Sequence, residues 1–137
     1  MSRVSWPLQN GRPVIRLTLF AAEGGQKYTR TLLADTGGGR RNSRWDVILS
    51  MDDCRLFGLN QVGLVHLGGA YSGDFPLVMV RAAIPALQVT CNLITVVIPS
   101  AQLRPGTDGL VGFRFLNSFH YGNFGNPEQF GMEPLLA

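Results

Sequence analysis

An all-β fold is the class this sequence predicts, and three observations predict it. Apolar runs of strand length recur along 137 residues, 17 glycines and 8 prolines separate them, and charged residues make up 15% of the chain against 45% hydrophobic. Glycine and proline at that density favour many turns over long helices, and the length suits one domain with its own core. So low a charge leaves more apolar surface than one small domain hides easily, and burial against another subunit is expected.

The elements follow in order. Residues 1–12 read as a polar leader without the apolar segment of a signal peptide. Val14-Ile15-Arg16-Leu17-Thr18-Leu19-Phe20 has the branched and aromatic make-up of a strand, Glu23-Gly24-Gly25-Gln26 supplies a turn, and residues 27–34 return as a second strand. That strand delivers Asp35-Thr36-Gly37, a carboxylate on a tight glycine turn. The acid hangs from a hairpin, which is the rigid mount that chemistry requires. A glycine- and arginine-rich loop fills residues 37–45, and Asp46-Val47-Ile48-Leu49 resumes an extended run. Ser50 then reads as a helix N-cap, with Asp52 and Asp53 facing the positive end of the helix dipole. The helix predicted there has about two turns, and Gly58 stops it.

From residue 62 the pattern is again β. Residues 62–67 and 75–80 predict two strands joined by a glycine-rich tip, and residues 86–89 and 93–98 predict two more. Arg104-Pro105-Gly106-Thr107-Asp108-Gly109 is a turn cluster leading into Leu110-Val111-Gly112, and the amphipathic residues 113–119 predict a short helix.

Several function classes are disfavoured by the same residues. The net charge of +3 is carried almost wholly by arginine, and only Arg40, Arg41 and Arg44 cluster, which reads as a solvated loop and not as a nucleic-acid stripe. Cys54 and Cys91 make no disulfide framework and read as buried free thiols, so a cytoplasmic location is expected. His66, His120, Cys54 and Cys91 share no short ligand spacing, and neither metal nor cofactor is expected. Gly68, Ala70 and Gly73 fall near the spacing of a dinucleotide fingerprint, but Pro76 and a β-branched run stand where that motif needs a helix N-terminus. Pro76 argues equally against Ser72 as a nucleophile on a strand-to-helix elbow. Asp108 reads as part of an exposed turn. Pro76, Arg81, Pro85, Gln88 and Asn92 break the most apolar stretch, so no membrane span is expected.

Three landmarks remain, in this order: Leu32-Leu33-Ala34-Asp35-Thr36-Gly37, a glycine-rich hairpin centre within residues 65–75, and Leu110-Val111-Gly112 before a short helix. With them the chain resembles the retropepsin-like aspartic peptidases, the single-domain, homodimeric relatives of the pepsin family. The likeness covers roughly residues 13–124, within a domain of residues 13–125, and leaves residues 126–137 as a C-terminal tail. It implies a closed β-barrel with one or two short helices and a flap hairpin. It also implies an aspartic endopeptidase that acts as a homodimer on a peptide or protein substrate. Asp35 would be the catalytic carboxylate, Thr36 would hydrogen-bond across the dimer, Gly37 would admit a close approach, and Gly38 matches a small-residue position. Gly68, Gly69, Ala70, Tyr71 and Ser72 would form the flap that closes over an extended peptide. A catalytically silent module that binds peptide or only dimerises is the alternative. The chain departs from the family in the longer loop at residues 39–45, and in Arg114, where many relatives carry an acid whose packing bond would have to be replaced.

Overall fold

The computed structural model describes residues 2–135. Along the chain come β1 (Val4–Pro7), β2 (Val14–Phe20), β3 (Lys27–Ala34), β4 (Val47–Ser50), α1 (Met51–Phe57), β5 (Gly58–Leu67) and β6 (Gly73–Ile84). There follow β7 (Val89–Ile98), β8 (Gly109–Val111), α2 (Phe113–Leu116), β9 (Phe119–Gly122) and β10 (Gln129–Pro134). The chain is mostly β, as its turn-rich sequence predicts. Strands β2, β3, β8, β4, β7 and β6 neighbour one another in that order, and β6 returns to β2 through Ala83 opposite Thr18 and Ala82 opposite Leu19. Six strands thereby close a barrel. β5 is the outer arm of a hairpin with β6, shifted in register between Gly58 and Gln61 and again between Gln61 and Gly63.

Local chemistry explains the first half of this order. β2 alternates buried Leu17 and Leu19 with exposed Arg16, the period-two pattern of a half-buried strand. The Ser50 hydroxyl accepts the Asp53 N–H at 3.1 Å, which caps α1 as its sequence predicts. Gly58 does end that helix, for a different reason from the one expected. Its backbone is extended, with φ at −69°, and a Cβ there would run into the Cys54 carbonyl oxygen that receives the Gly58 N–H. The glycine is needed for close approach and not for a left-handed turn.

Asp53 also accepts a two-pronged contact from Arg30 on β3, at 3.0 and 3.1 Å, and the guanidinium lies 5.2 Å from the Phe57 ring centre. This fork ties α1 to the barrel wall, and it raises the Arg30 pKa through the Asp53 hydrogen bond. Asp53→Asn is expected to lower stability by about 1 kcal/mol, read as a urea midpoint shift, while Asp52→Asn on the exposed side stays within about 0.5 kcal/mol.

One expectation is corrected. Residues 86–89 are not a separate strand: Pro85–Leu87 form a single 3-10 turn, Gln88 takes the left-handed conformation at φ 56°, and Val89 begins β7. Proline starts that turn, and the reversal feeds one ten-residue strand, β7, in which Thr90 and Asn92 face outward. The polar residues that suggested breaks are the outer face of that strand. The two end segments meet in the structure. β1, from the supposed leader, pairs antiparallel with β10 of the tail, Trp6 opposite Phe130, and β9 completes a three-stranded sheet. Buried Trp6, Phe130 and Met132 join the main core with Ile15, Leu17 and Leu116. A second buried cluster, which includes Trp45, Ile48, Leu67 and Leu110, lies under the cleft described next.

Candidate active site

β8 is inserted between β3 and β4. It runs parallel to β3, with Leu33 opposite Leu110 and Ala34 opposite Val111, and antiparallel to β4. This insertion brings Leu110-Val111-Gly112 beside Asp35-Thr36-Gly37, although seventy-odd residues separate them in sequence. The Asp35 N–H donates to the Val111 carbonyl at 2.9 Å, which pins the acid where β3 leaves the barrel. The turn then folds on the carboxylate itself. Gly37 N–H donates to Asp35 Oδ1 at 3.0 Å, and Gly38 N–H donates to the Asp35 carbonyl at 3.0 Å. The Gly38 carbonyl accepts the Phe113 N–H at 2.8 Å, so the start of α2 holds the far side of the turn. A Cβ at Gly38 would sit 3.1–3.3 Å from Asp35 atoms, which explains a residue without a side chain there.

Asp35 faces a cleft of about 540 Å³, a size suited to a short stretch of peptide or a small ligand. Leu33, Trp45, Ile48 and Leu110 give it an apolar floor, and the β5–β6 hairpin tip forms its far wall through Gly68, Gly69, Ala70 and Tyr71. Ser72 is exposed at the same tip but does not line the cleft. Gly69 supplies the left-handed residue of the turn at φ 80°. The Tyr71 hydroxyl accepts the Arg104 N–H at 3.0 Å, linking the tip to the loop before β8. Among the described residues that line the cleft, Asp35 is the only carboxylate.

Other candidates lie elsewhere. Thr36 is exposed, and among the described residues its hydroxyl has no hydrogen-bond partner. Asp108 Oδ2 accepts the Thr31 N–H at 2.8 Å and holds its turn against β3, outside the cleft lining. His66 Nδ1 lies 2.7 Å from Asp74 Oδ1 across the hairpin, with both side chains exposed. Burial pushes the Cys54 thiol up to about 12 and also raises Cys91, which makes both poor nucleophiles. Among the described residues no three metal-ligating side chains cluster, and no helix is long and apolar enough to cross a membrane.

Behind the turn lies a residue that sequence reasoning missed. Asp46 is buried; its Oδ2 accepts the Ile94 N–H at 2.9 Å, its carbonyl accepts the Gly112 N–H at 2.8 Å, and Arg114 Nε is 3.4 Å from its Oδ1. Arg114 Nη1 also donates to the Ser43 carbonyl at 3.1 Å. Arg114 thus pairs with Asp46 and braces the long loop at 39–45. Only the position of Asp46 at the head of a strand, followed by an apolar run, hinted at burial.

Desolvation raises the Asp46 pKa, against the lowering effects of the Ile94 N–H and Arg114. An acid whose folded pKa is raised contributes stability that is fully present below its unfolded pKa and is lost as pH rises through the folded one. Wild type is therefore expected to lose stability relative to Asp46→Asn as pH rises from about 3, below the ordinary aspartate pKa, through the raised folded one, read from paired melting curves. A constant difference across that range would remove the buried-charge account.

Comparison with family models, curated proteins and solved structures found no match to this chain. The functional reading therefore rests on the site.

Proposed function

We propose that this chain is half of an aspartic endopeptidase, active as a homodimer that brings two copies of Asp35 together. The observation that carries the reading is the cleft itself: one carboxylate, held by backbone bonds on a glycine turn, faces a cleft with an apolar floor beneath a hairpin tip. The insertion of β8 beside the acid and the order of the three sequence landmarks support it. A lone carboxylate cannot act as acid and base at once. A two-fold contact supplies the second, because an isologous interface places identical residues opposite each other at its axis. Exposed Thr36, with a free hydroxyl beside Asp35, suits that contact.

Two carboxylates a few ångströms apart cannot both ionise, so the pair shares one proton. The ionised member takes a proton from water as the water oxygen bonds to the scissile carbonyl carbon. The protonated member gives its proton to the carbonyl oxygen. In the second half the roles reverse: the first carboxyl protonates the departing nitrogen, the second recovers a proton from the diol, and the C–N bond breaks. The hairpin tip excludes water and pairs with the backbone of an extended peptide as an added strand. No metal or cofactor takes part in this scheme.

The test combines mass with activity. Sedimentation is expected to give twice the 15.0 kDa chain mass, and a peptide library assayed from acid to neutral pH is expected to be cut in a manner blocked by transition-state inhibitors of aspartic peptidases. Thr36→Ala is expected to weaken the dimer by about tenfold, as loss of one interface hydrogen bond on each side. A strict monomer, or a dimer that cuts nothing at any pH, removes the proposal; the second result leaves the silent peptide-binding module in its place.

A further inference from the structure

Three separate loops bring an arginine to the same cleft: Arg12 before β2, Arg40 after the Asp35 turn, and Arg104 before β8. In each case the backbone is anchored. Arg12 shares a two-way bridge with Gln9 at 3.0 Å, Arg40 N–H donates to Ser43 Oγ at 2.7 Å, and Arg104 N–H donates to the Tyr71 hydroxyl at 3.0 Å. Their guanidinium groups are exposed and, among the described residues, have neither an ion-pair nor a hydrogen-bond partner. Arg3, Arg30, Arg55 and Arg114, by contrast, each meet a carboxylate of the chain. The residues lining the cleft thus include three arginines without a carboxylate partner among the described residues, against the single carboxylate of Asp35.

We propose that the cleft selects extended peptides carrying glutamate or aspartate beside the bond to be cut, with Arg12, Arg40 and Arg104 as the residues that determine this specificity. The inference rests on the peptidase reading above and adds the substrate's chemistry to it. Guanidinium suits the task because its planar fork matches a carboxylate with two parallel hydrogen bonds. Arginines anchored through their backbones also start from fixed positions, which lowers the cost of ordering them on binding. The apolar floor at Trp45 and Ile48 takes the side chains nearest the reacting bond, so charge selection falls on their neighbours. In a two-fold dimer the set is repeated, and acidic residues are preferred on both sides of the scissile bond.

The test separates binding from cutting. Asp35→Asn protein is titrated with two labelled decapeptides that share an apolar centre, one flanked by glutamates and one by lysines. The glutamate peptide is expected to bind at least about tenfold tighter, with the gap narrowing as salt rises from about 50 to about 300 mM. Arg12→Gln, Arg40→Gln and Arg104→Gln are each expected to weaken it by about two- to fivefold. Arg16→Gln removes the same charge from the outer face of β2 and is expected to change nothing. Equal affinity for the two peptides, no binding of either, an equal effect of Arg16→Gln, or tighter binding of an oligonucleotide of matched charge overturns the proposal. Wild-type cleavage tells the two readings apart. Cutting without charge preference overturns only the specificity, whereas arginine-dependent acidic binding without cutting overturns the peptidase and leaves the three arginines as determinants of acidic-peptide binding alone.

Discussion

Under the proposed peptidase reading, Asp35→Asn is expected to abolish peptide cleavage while leaving the fold and the proposed dimer intact. The amide retains an oxygen that accepts the Gly37 N–H now bonded to Asp35 Oδ1 at 3.0 Å, and it occupies nearly the same volume, so the turn keeps its shape. It cannot take a proton from water. General acid–base groups are worth about 10²–10⁴ in rate, and both copies in the proposed homodimer are lost at once, so at least the upper end of that range is expected. Removing both acids also removes the repulsion between them, so the variant dimer is expected to be as tight as wild type or tighter. Rate, melting temperature and sedimentation are measured on one preparation. Residual activity within about tenfold of wild type would show that Asp35 does not carry the chemistry.

The second large effect is structural in origin. A Cβ built on Gly112 would lie 2.7 and 2.8 Å from Trp45 ring atoms and 2.8 Å from the Gly38 carbonyl oxygen. Neither neighbour yields easily. The indole is buried in the cluster beneath the cleft, and the Gly38 carbonyl is held by the Phe113 N–H. Gly112→Ala must therefore push apart α2 and the turn that carries Asp35. A loss of about 1–3 kcal/mol is expected from the urea midpoint, typical of overpacking against rigid partners. Activity is expected to fall by about 10²-fold even where the chain remains folded, because a displacement near 1 Å is enough to misplace a catalytic group. Gly68→Ala is the control for stability: no atom lies within 4 Å of its Cβ position, and its midpoint is expected to stay within about 0.5 kcal/mol of wild type. Equal midpoints for the two variants would sink the packing account of Gly112.

These expectations show which features were legible in sequence. The β2–β3 hairpin, the Ser50 cap and the turn at Asp35 depend on neighbours within a few residues, and each was readable from composition and spacing. Residues 86–89 misled because alternation within one strand and a break between two strands look alike when half the residues are polar. Asp46 was passed over for a related reason: a carboxylate at a strand start is ordinarily solvated, and nothing adjacent in sequence announces Ile94, Gly112 or Arg114 as its partners.

The sequence by itself determined a β-rich chain, a capped two-turn helix, and an acid on a glycine turn at the end of a strand. These follow from local backbone preferences and side-chain period, which need no distant partner. Tertiary structure alone decided that β8 would insert beside Asp35, that β1 would pair with β10 across nearly the whole chain, and that Arg12, Arg40 and Arg104 would meet in one cleft. Such contacts join segments far apart in sequence, and their gain comes from burial and backbone pairing that exist only after the barrel has closed.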